Sequence, residues 1–349
     1  MLELTDKFIP QRFLFREGQY NQIKKIFSDF KEDRYMATNL IILGTTGAGK
    51  TSMIRKIINE QDNNLFVSAM ENKTTNRILK ALSGKKLCSD SELIQCLVKL
   101  LNENPKILII DEVGKIQDPE NFCNTLNAIY RLTNVPIIVI TNKWTFIEEM
   151  PDDAKLTLFF NKVEFPSYSA IQLKEILKER LVCIREKTDF DFSEGSLEYL
   201  SAKIIKEHFG SVRTALVILN QCVTARDDSI KFINEKIEYI ETQEWESFLH
   251  KLSSLEKDFL NIILELAENE EEIPSTDIAN RMKGLASPSK ISQIITSFID
   301  YGIIKAKWKH LGRAGGKHRI ISFSKPEYRT KLLKLLSPWE GNDEGNQHG

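Results

Sequence analysis

The sequence of 349 residues is poor in the features that mark disulfide-rich, metal-binding and membrane proteins. Its five cysteines and five histidines are scattered, and no two cysteines form a C-x-x-C pair. We therefore interpret the cysteines as reduced packing residues and expect no metal site built on cysteine or histidine. No apolar run approaches the ~18 residues that a membrane-spanning helix requires, so we expect no membrane partner. The opening MLELTDKFIP carries acids and lacks the apolar core of a signal sequence, so we expect a cytoplasmic protein.

The sequence also lacks a large overall charge, because its formal net charge is −1. This balance conceals an asymmetry: residues 281–335 contain thirteen lysines and arginines against two acids, a net charge of +11. Such a concentration is typical of a surface that binds the phosphate backbone of nucleic acid. A solvated basic face or a protein-docking surface is the alternative interpretation. The chain length and the ordinary apolar and charged fractions predict a globular protein of two or three domains.

The most specific pattern is the stretch NLIILGTTGAGKTSMIRKII, from Asn39 to Ile58. It fits the phosphate-loop pattern G-x-x-x-x-G-K-[ST], and it lies between an apolar run and apolar residues at helical spacing. Glycines let a backbone wrap around phosphates, whose charge is stabilised by free N–H groups and the positive end of the helix dipole. The predicted nucleotide-binding residues of the loop are Gly44, Thr45, Thr46, Gly47, Ala48, Gly49, Lys50, Thr51 and Ser52. An ordinary glycine turn before a core helix is the alternative interpretation.

Three side-chain types around this loop predict the chemistry of ATP and Mg²⁺. Lys50 is expected to reach the β- and γ-phosphates, and the Thr51 hydroxyl to bind Mg²⁺. A second buried run ends in Asp111 and Glu112, at the edge of a parallel sheet where a phosphate loop also lies. We expect Asp111 to hold Mg²⁺ through water and Glu112 to polarise the attacking water. A third run ends at Asn142, which would hydrogen-bond the γ-phosphate or the water. The alternatives are an acidic helix-capping turn and a simple turn asparagine.

From Pro166 onward the apolar spacing is helical, which predicts a small helical domain without strands. Arg213 stands near the start of its third helix, Val212–Ala225, where the helix dipole disfavours a cation. This placement indicates an anion partner such as a phosphate, and an exposed surface arginine is the alternative. Ahead of the phosphate loop, Arg16 and Glu17 either pair, approach a base or form a solvated helix start.

The last third of the sequence predicts three helices followed by two strands around a glycine-rich tip, IIKAKWKHLGRAGGKHRIISFS. This order is the winged-helix pattern, a helix-turn-helix with a wing. We expect the helix Ser289–Tyr301 to enter the major groove of double-stranded DNA, and the wing near Gly315 to meet the minor groove or phosphate. The predicted DNA-binding residues are Lys290, Lys307, Lys309, Arg313, Lys317 and Arg319. We interpret the polar end SPWEGNDEGNQHG as disordered.

Over nearly the whole chain, these segments resemble the origin-recognition and cell-division-control initiators, the AAA+ ATPases of archaeal type. GTTGAGKTS and LIIDE match the two nucleotide motifs of that family, and ITN resembles its sensor asparagine at Asn142. GSVRTALVIL resembles the second sensor, which implies that Arg213 reads the γ-phosphate. FLFRE is similar to the segment before the phosphate loop. FPSY and ILKERL are similar to the entry of the helical lid, which implies that Tyr168 and Arg180 contact nucleotide.

The resemblance implies an α/β AAA+ core with a parallel sheet, an all-helical lid and a C-terminal winged helix. On this basis we expect residues 1–165 to form the core, 166–240 the lid, 241–337 the winged helix and 338–349 a disordered tail. The family binds replication origins in its nucleotide-bound state and helps to load the replicative helicase. We therefore expect a nucleoid-associated initiator that binds origin DNA and the helicase or paralogous initiators. ATP would be its one small-molecule substrate.

Two departures from the family pattern bear on ATP hydrolysis. Gly114 replaces the acid expected two residues beyond the Asp–Glu pair, and PDDAKLTLFF, where a trans-acting arginine finger is expected, contains no arginine. Lys155 in that stretch is not an equivalent donor. An arginine finger contributes about 10³–10⁵-fold in rate, so we expect a weak ATPase used as a slow switch. Two other functions stay open: an AAA+ helper ATPase that acts on a protein partner, as in transposition or clamp loading, and a nucleotide-bound transcription regulator.

Overall fold

The structure, a computed structural model, describes residues 1–5, 7–86, 88–207, 211–268, 270–310 and 317–336. The chain divides into two compact units, Met1–Lys236 and Ile237–Gly349. Among the described residues, every helix is either too short or too polar to cross a membrane. The predicted division of the first unit into core and lid at residues 165 and 166 stays a prediction.

The first unit is built on a parallel β-sheet. Its strands are β1 (Leu40–Gly44), β2 (Asn64–Ser68), β3 (Ile107–Asp111), β4 (Ile137–Thr141) and β5 (Asn161–Phe165). They pair in the order β2-β3-β4-β1-β5, and each neighbouring pair is parallel. The predicted parallel-sheet core is therefore confirmed. The strand β5 was not predicted from the sequence, because it is a sheet edge in which buried Val163 and Phe165 alternate with exposed Lys162 and Glu164.

Helices cover both faces of this sheet. They are α1 (Glu17–Glu32), α2 (Lys50–Asn59), α3 (Thr75–Ser83), α4 (Asp90–Glu103), α5 (Pro119–Thr133) and α6 (Asp152–Leu158). Successive strand residues point to opposite faces, so the unbroken apolar runs of β1 and β3 supply both cores. Ile41 and Leu108 pack with α3, α4 and α5, whereas Ile42 and Ile109 pack with α1 and α2. Burial on both faces explains why these strands read as continuous apolar runs.

A helical subdomain follows the sheet in the same unit. Its helices are α7 (Ala170–Cys183), α8 (Glu194–Glu207) and α9 (Val212–Ala225). Ser169 begins α7 with a capping box that includes Gln172, and the Ser211 hydroxyl begins α9 by accepting from the Thr214 N–H. The chain start also joins this subdomain, because the short 3₁₀ helix Leu2–Leu4 contacts α7 and α9. The next helix, α10 (Ile230–Lys251), runs across the boundary between the two units.

The second unit combines helices with a small antiparallel sheet. Its elements after α10 are α11 (Ser254–Leu266), β6 (Ile273–Pro274), α12 (Ser275–Arg281), α13 (Pro288–Asp300), β7 (Ile304–His310), β8 (Lys317–Phe323) and α14 (Pro326–Leu336). The strands pair in the order β6-β8-β7. Phe259, Ile278, Phe298 and Ile321 form its core, each fully buried. Three helices and a hairpin follow the predicted winged-helix order. The wing tip near Gly315 and the tail 338–349 lie outside the described residues.

Candidate functional site

The phosphate loop runs from the end of β1 to the start of α2. A side chain at Gly44 would put its Cβ 2.4 Å from the backbone oxygen of Phe165, so this position has room only for glycine. Gly47 has φ +79°, and a Cβ there would lie 2.6 Å from the Ser211 hydroxyl oxygen. The loop therefore lies between the end of β5 and Ser211, the residue that caps the start of α9.

Lys50 begins α2 at the mouth of the loop. Its Nζ donates hydrogen bonds to the backbone oxygens of Gly44 and Thr45, each at 2.8 Å. Burial lowers the pKa of the Lys50 amine, and the nearby carboxylates of Glu112 and Asp111 raise it. The predicted phosphate lysine and the predicted acid pair thus lie within electrostatic reach of one another.

Thr51 and Asp111 form a direct contact between the loop and the end of β3. The Thr51 hydroxyl donates to Oδ2 of Asp111 at 2.9 Å, and the backbone N–H of Glu112 donates to Oδ1 at 2.9 Å. Burial raises the pKa of the Asp111 carboxyl, which is 4 % exposed, and the Thr51 hydrogen bond opposes that shift. Both carboxylate oxygens are therefore fixed in direction, with a hydroxyl oxygen beside them.

The two predicted catalytic residues of the core lie at neighbouring strand ends. Glu112 adopts left-handed backbone angles, φ 59° and ψ 36°, and so turns the chain sharply after β3. Asn142, which directly follows β4, is exposed and donates from Nδ2 to the Thr46 hydroxyl at 3.5 Å, the long limit of a hydrogen bond. The order of the strands explains why Asn142 lies near both Glu112 and the loop, because β4 lies between β3 and β1.

A cleft of about 870 Å³, counted to its open mouth, lies between the loop and the helical subdomain. Most of the predicted site residues line it: Thr46, Gly47, Ala48, Gly49, Lys50, Thr51, Ser52, Glu112, Tyr168, Arg180 and Arg213. Gly44, Thr45, Asp111 and Asn142 lie outside that lining and contact it through the bonds given above. The N-terminal residues Phe8, Arg12 and Phe13 form another wall, which sequence reasoning did not identify.

Two arginines of the helical subdomain face this cleft. Arg180 on α7 is 6 % exposed, and its guanidinium stacks over the Phe8 ring at 4.6 Å. Its Nε and Nη1 atoms have no hydrogen-bond partner among the described residues. Burial lowers the pKa of Arg180, although the neighbouring Glu179 opposes the shift. A buried cation with unsatisfied donors favours an anionic or strongly polar ligand. Arg213, in the first turn of α9, is exposed and lines the same cleft.

Arg16 is a buried residue of the site that the sequence did not identify as such. It is 3 % exposed, stacks over the Tyr168 ring at 3.9 Å and donates a short hydrogen bond to the Pro166 backbone oxygen. Phe15, just before it, has φ 61°, a strained angle for a bulky residue. The interpretation as a solvated helix start was therefore wrong, because Arg16 fixes the segment between β5 and α7. The FLFRE resemblance was the one signal that pointed to this stretch.

The predicted DNA-binding residues of the second unit lie on α13 and on the hairpin. Lys290, in the first turn of α13, is exposed, as are Lys307 and Lys309 on β7. Arg319 on β8 lies opposite Trp308 of β7. The backbone of Lys317 pairs with that of His310. Arg313 lies outside the described residues.

Comparison with known proteins shows which proteins the chain is similar to. A family model described as an AAA domain matches residues 33–145. An ORC1-type DNA replication protein of Methanosphaera stadtmanae is 27 % identical over an alignment of 358 positions, which covers 91 % of this chain and 91 % of that protein. The chain therefore contains an AAA domain and is similar over nearly its whole length to archaeal ORC1-type DNA replication proteins. The near-complete coverage extends the likeness beyond the AAA domain to β5, the helical subdomain and the second unit.

Solved structures of low sequence identity share the fold of this chain. The Aeropyrum pernix ORC1 protein in complex with DNA matches with a TM-score of 0.76 at 22 % identity, covering 95 % of this chain and 96 % of that one. The Aeropyrum pernix ORC2 protein, solved in ADPNP–ADP complexes, matches with a TM-score of 0.58 at 16 % identity, covering 96 % and 98 %. The AAA+ fold assignment therefore applies to the full length of the described chain.

The stretch expected to carry an arginine finger folds as α6. Its cation, Lys155, pairs with Asp152 one turn earlier at 3.3 Å. Arg131 reaches this helix from α5, where its Nη2 donates to the Thr157 hydroxyl at 2.9 Å. A guanidinium is thus present beside α6, although it comes from a different element than the family pattern predicts.

Proposed function

We propose that the chain is an ATP-dependent initiator that binds duplex DNA at a replication origin through its winged helix and promotes helicase loading. A slow ATP-hydrolysis switch would control it. The main support for this proposal is that one chain contains both a cleft lined by a phosphate loop and a segment, residues 281–335, with a net charge of +11. The full-length likeness to an ORC1 protein solved with DNA supports it.

The donor set of the cleft fits ATP with Mg²⁺. Lys50 would contact the β- and γ-phosphates, and the unsatisfied nitrogens of Arg180 would contact polar atoms of the nucleotide. The Thr51 hydroxyl and the Asp111 carboxylate, 2.9 Å apart, are the hard oxygen donors that Mg²⁺ prefers. A bound magnesium ion would neutralise phosphate charge. Lys50 and Tyr168 would orient the nucleotide against the loop.

The remaining site residues would detect and activate the γ-phosphate. Glu112 would orient the attacking water and accept its proton. Asn142 and Arg213 would sense the γ-phosphate from the core and from α9. Because Gly47 lies close against Ser211 at the start of α9, a change in the loop would be passed to the helical subdomain. In this proposal, hydrolysis changes the angle of that subdomain and so the way the second unit meets DNA.

The DNA contact in this proposal follows the winged-helix geometry. The helix α13 would enter the major groove, with Lys290 at its exposed first turn. Lys307, Lys309, Arg313, Lys317 and Arg319 of the hairpin would contact phosphates or the minor groove. The proposed partners besides origin DNA are the replicative helicase or paralogous initiators.

Footprinting on genomic DNA with ATP, ADP or no nucleotide tests the proposal. We expect one strong site at a replication start, with a footprint that differs between ATP and ADP. Protection of many promoters instead would support the nucleotide-bound transcription regulator. Prompt, DNA-stimulated ATP turnover without a specific site would support the helper ATPase that acts on a protein partner.

Variants of the loop separate nucleotide binding from hydrolysis. Lys50→Ala should weaken ATP binding by about 10- to 150-fold, since hydrogen bonds to charged groups contribute about 1.5–3 kcal/mol each. The control is Lys56→Ala at the far end of α2, where Lys56 pairs with Glu60 at 3.3 Å. Glu112→Gln should retain ATP binding and lose turnover. Unchanged ATP affinity in Lys50→Ala, measured by titration calorimetry, would refute the loop assignment.

A further inference from the structure

One aromatic side chain of the hairpin is exposed where the fold gives it no cover. Along β7, alternate side chains point to the same face, so Ile304, Ala306 and Trp308 form one row. Ile304 is 1 % exposed and Ala306 packs against the core of the second unit. Trp308 is 66 % exposed, because it lies beyond the part of the hairpin that the helices cover. The row of side chains that begins with buried Ile304 therefore ends with the exposed indole of Trp308.

Cations surround this indole. Trp308 pairs across the hairpin with Arg319, so their side chains lie side by side on the same face. Lys307 and Lys309, its neighbours along β7, are exposed on the other face. Lys309 also pairs with Glu272 at 3.1 Å. The exposed aromatic surface is therefore set in positive charge, which favours a ligand that is both flat and anionic.

Protection of a sheet edge accounts for the lysines but not for the tryptophan. β7 is an edge strand of the order β6-β8-β7, and lysines on such a strand discourage pairing with another chain. An exposed tryptophan carries no charge and contributes nothing to that protection. The indole is therefore better explained by a ligand than by solubility.

We propose that Trp308 and Arg319 form a base-stacking site of the wing that takes an unpaired nucleobase of DNA, while Lys307 and Lys309 on the opposite face of the hairpin add to its positive charge. This inference rests on the proposed function, because it requires that the chain binds DNA, and it adds a preference for locally melted or kinked DNA over uniform duplex. Indole and guanidinium planes both stack on bases without regard to sequence. An initiator with this site would bind an opened origin more tightly than a closed one.

The test compares two DNA probes with the full-length chain. One is a fluorescein-labelled duplex and the other is the same duplex with a short unpaired bubble that contains 2-aminopurine. Affinity is measured by anisotropy, and stacking by quenching of the 2-aminopurine emission. Trp308→Ala should bind the bubble about 5- to 150-fold more weakly, the loss expected for one base–aromatic stack, and should abolish the quenching. Its duplex affinity should change little.

Two further variants make the comparison specific. Trp308→Phe keeps an aromatic ring and should retain part of the bubble preference. Trp144→Ala is the matched control, because Trp144 is also exposed, at 49 %, with a lysine 5.1 Å from its ring, but lies in the first unit. It should leave both probes unaffected.

The outcomes distinguish this inference from the proposed function. Equal affinity of Trp308→Ala and the wild type for the bubble would overturn the stacking site while leaving DNA binding intact. An equal loss for duplex and bubble would also overturn it, because Trp308 would then be a general DNA contact. Failure of the wild type to bind either probe would overturn the proposed function and this inference together. Quenching that requires Trp308 would support both.

Discussion

At the scale of single residues, the site contains two kinds of side chain, which differ in how far along the sequence their contact partners lie. The loop residues Gly44, Lys50 and Thr51 act within a few positions of one another, so a short pattern sufficed to predict them. Arg16 contacts Tyr168 and bonds to Pro166, 150 residues along the chain. No local pattern predicts burial of an arginine, because its partners are set by tertiary packing.

Replacement of Arg16 should affect both stability and nucleotide binding. Arg16→Ala is expected to lower the free energy of unfolding by about 1–3 kcal/mol, since it removes a buried hydrogen bond and a cation–π stack. It should also weaken ATP binding, because Tyr168 loses the guanidinium that packs against it in the cleft. Arg16→Lys should not restore either property, since an ammonium lacks the planar fork. Urea unfolding and calorimetry are the measurements.

The control for this prediction is a surface pair of the same chemistry. Arg34 stacks on Tyr35 at 4.8 Å and donates to its hydroxyl at 2.7 Å, but Tyr35 is 63 % exposed. Arg34→Ala should cost less than about 0.5 kcal/mol. If the two alanine variants lost equal stability, Arg16 would have no special role in fixing the segment before α7.

At the scale of elements, apolar periodicity predicted most of the fold. Continuous runs marked the strands that are buried on both faces, and the predicted helix Val212–Ala225 has the same bounds as α9. The edge strand β5 was missed because only alternate residues are buried. The contact between the loop and α9 was also beyond sequence reasoning, since it depends on how the subdomain packs over Gly47.

Gly47→Ala tests that contact. The new Cβ would lie 2.6 Å from the Ser211 hydroxyl oxygen and 3.2 Å from the Ser211 Cα, so Ser211 at the start of α9 must shift. We expect a loss of about 1–2 kcal/mol in stability from the left-handed backbone and a further loss of ATP affinity from the displaced Arg213. Thermal unfolding and calorimetry measure the two effects. Ser211→Gly in the same chain should recover part of the ATP affinity.

Gly84→Ala is the matched control for the backbone effect. Gly84 ends α3 with φ +70°, and the space that an alanine Cβ would take there is open, with no other atom within 4 Å. This variant should lose similar stability from backbone strain and none of the ATP affinity. Equal ATP affinities in Gly47→Ala and Gly84→Ala would show that α9 does not respond to the loop.

At the scale of the whole molecule, charge is divided along the chain. Residues 281–335 carry +11, so the remaining residues carry −12. Composition alone predicted a DNA-binding end, because clustered cations without acids are rarely needed for folding. It could not predict the exposed Trp308, since exposure depends on where the helices stop covering the hairpin.

This division predicts how salt affects DNA binding by the full chain. The logarithm of the affinity should fall linearly with the logarithm of salt concentration, at about −0.9 per phosphate contact. Lys307→Ala should reduce that slope by about 1 for any DNA sequence. Lys162→Ala, an exposed lysine on β5 in the first unit, should leave the slope unchanged. Equal slopes for wild type and Lys307→Ala would remove β7 from the phosphate contacts.

The packing of Leu2–Leu4 against α7 and α9 has a consequence for synthesis on the ribosome. This segment finds its partners only after most of the first unit has been translated, because α7 and α9 follow all five strands of the sheet along the chain. It therefore stays exposed while the sheet forms. Leu4, 1 % exposed in the finished protein, is among the last apolar groups of its unit to be covered. A nascent chain that stalls before α9 would therefore present this apolar segment to chaperones and proteases.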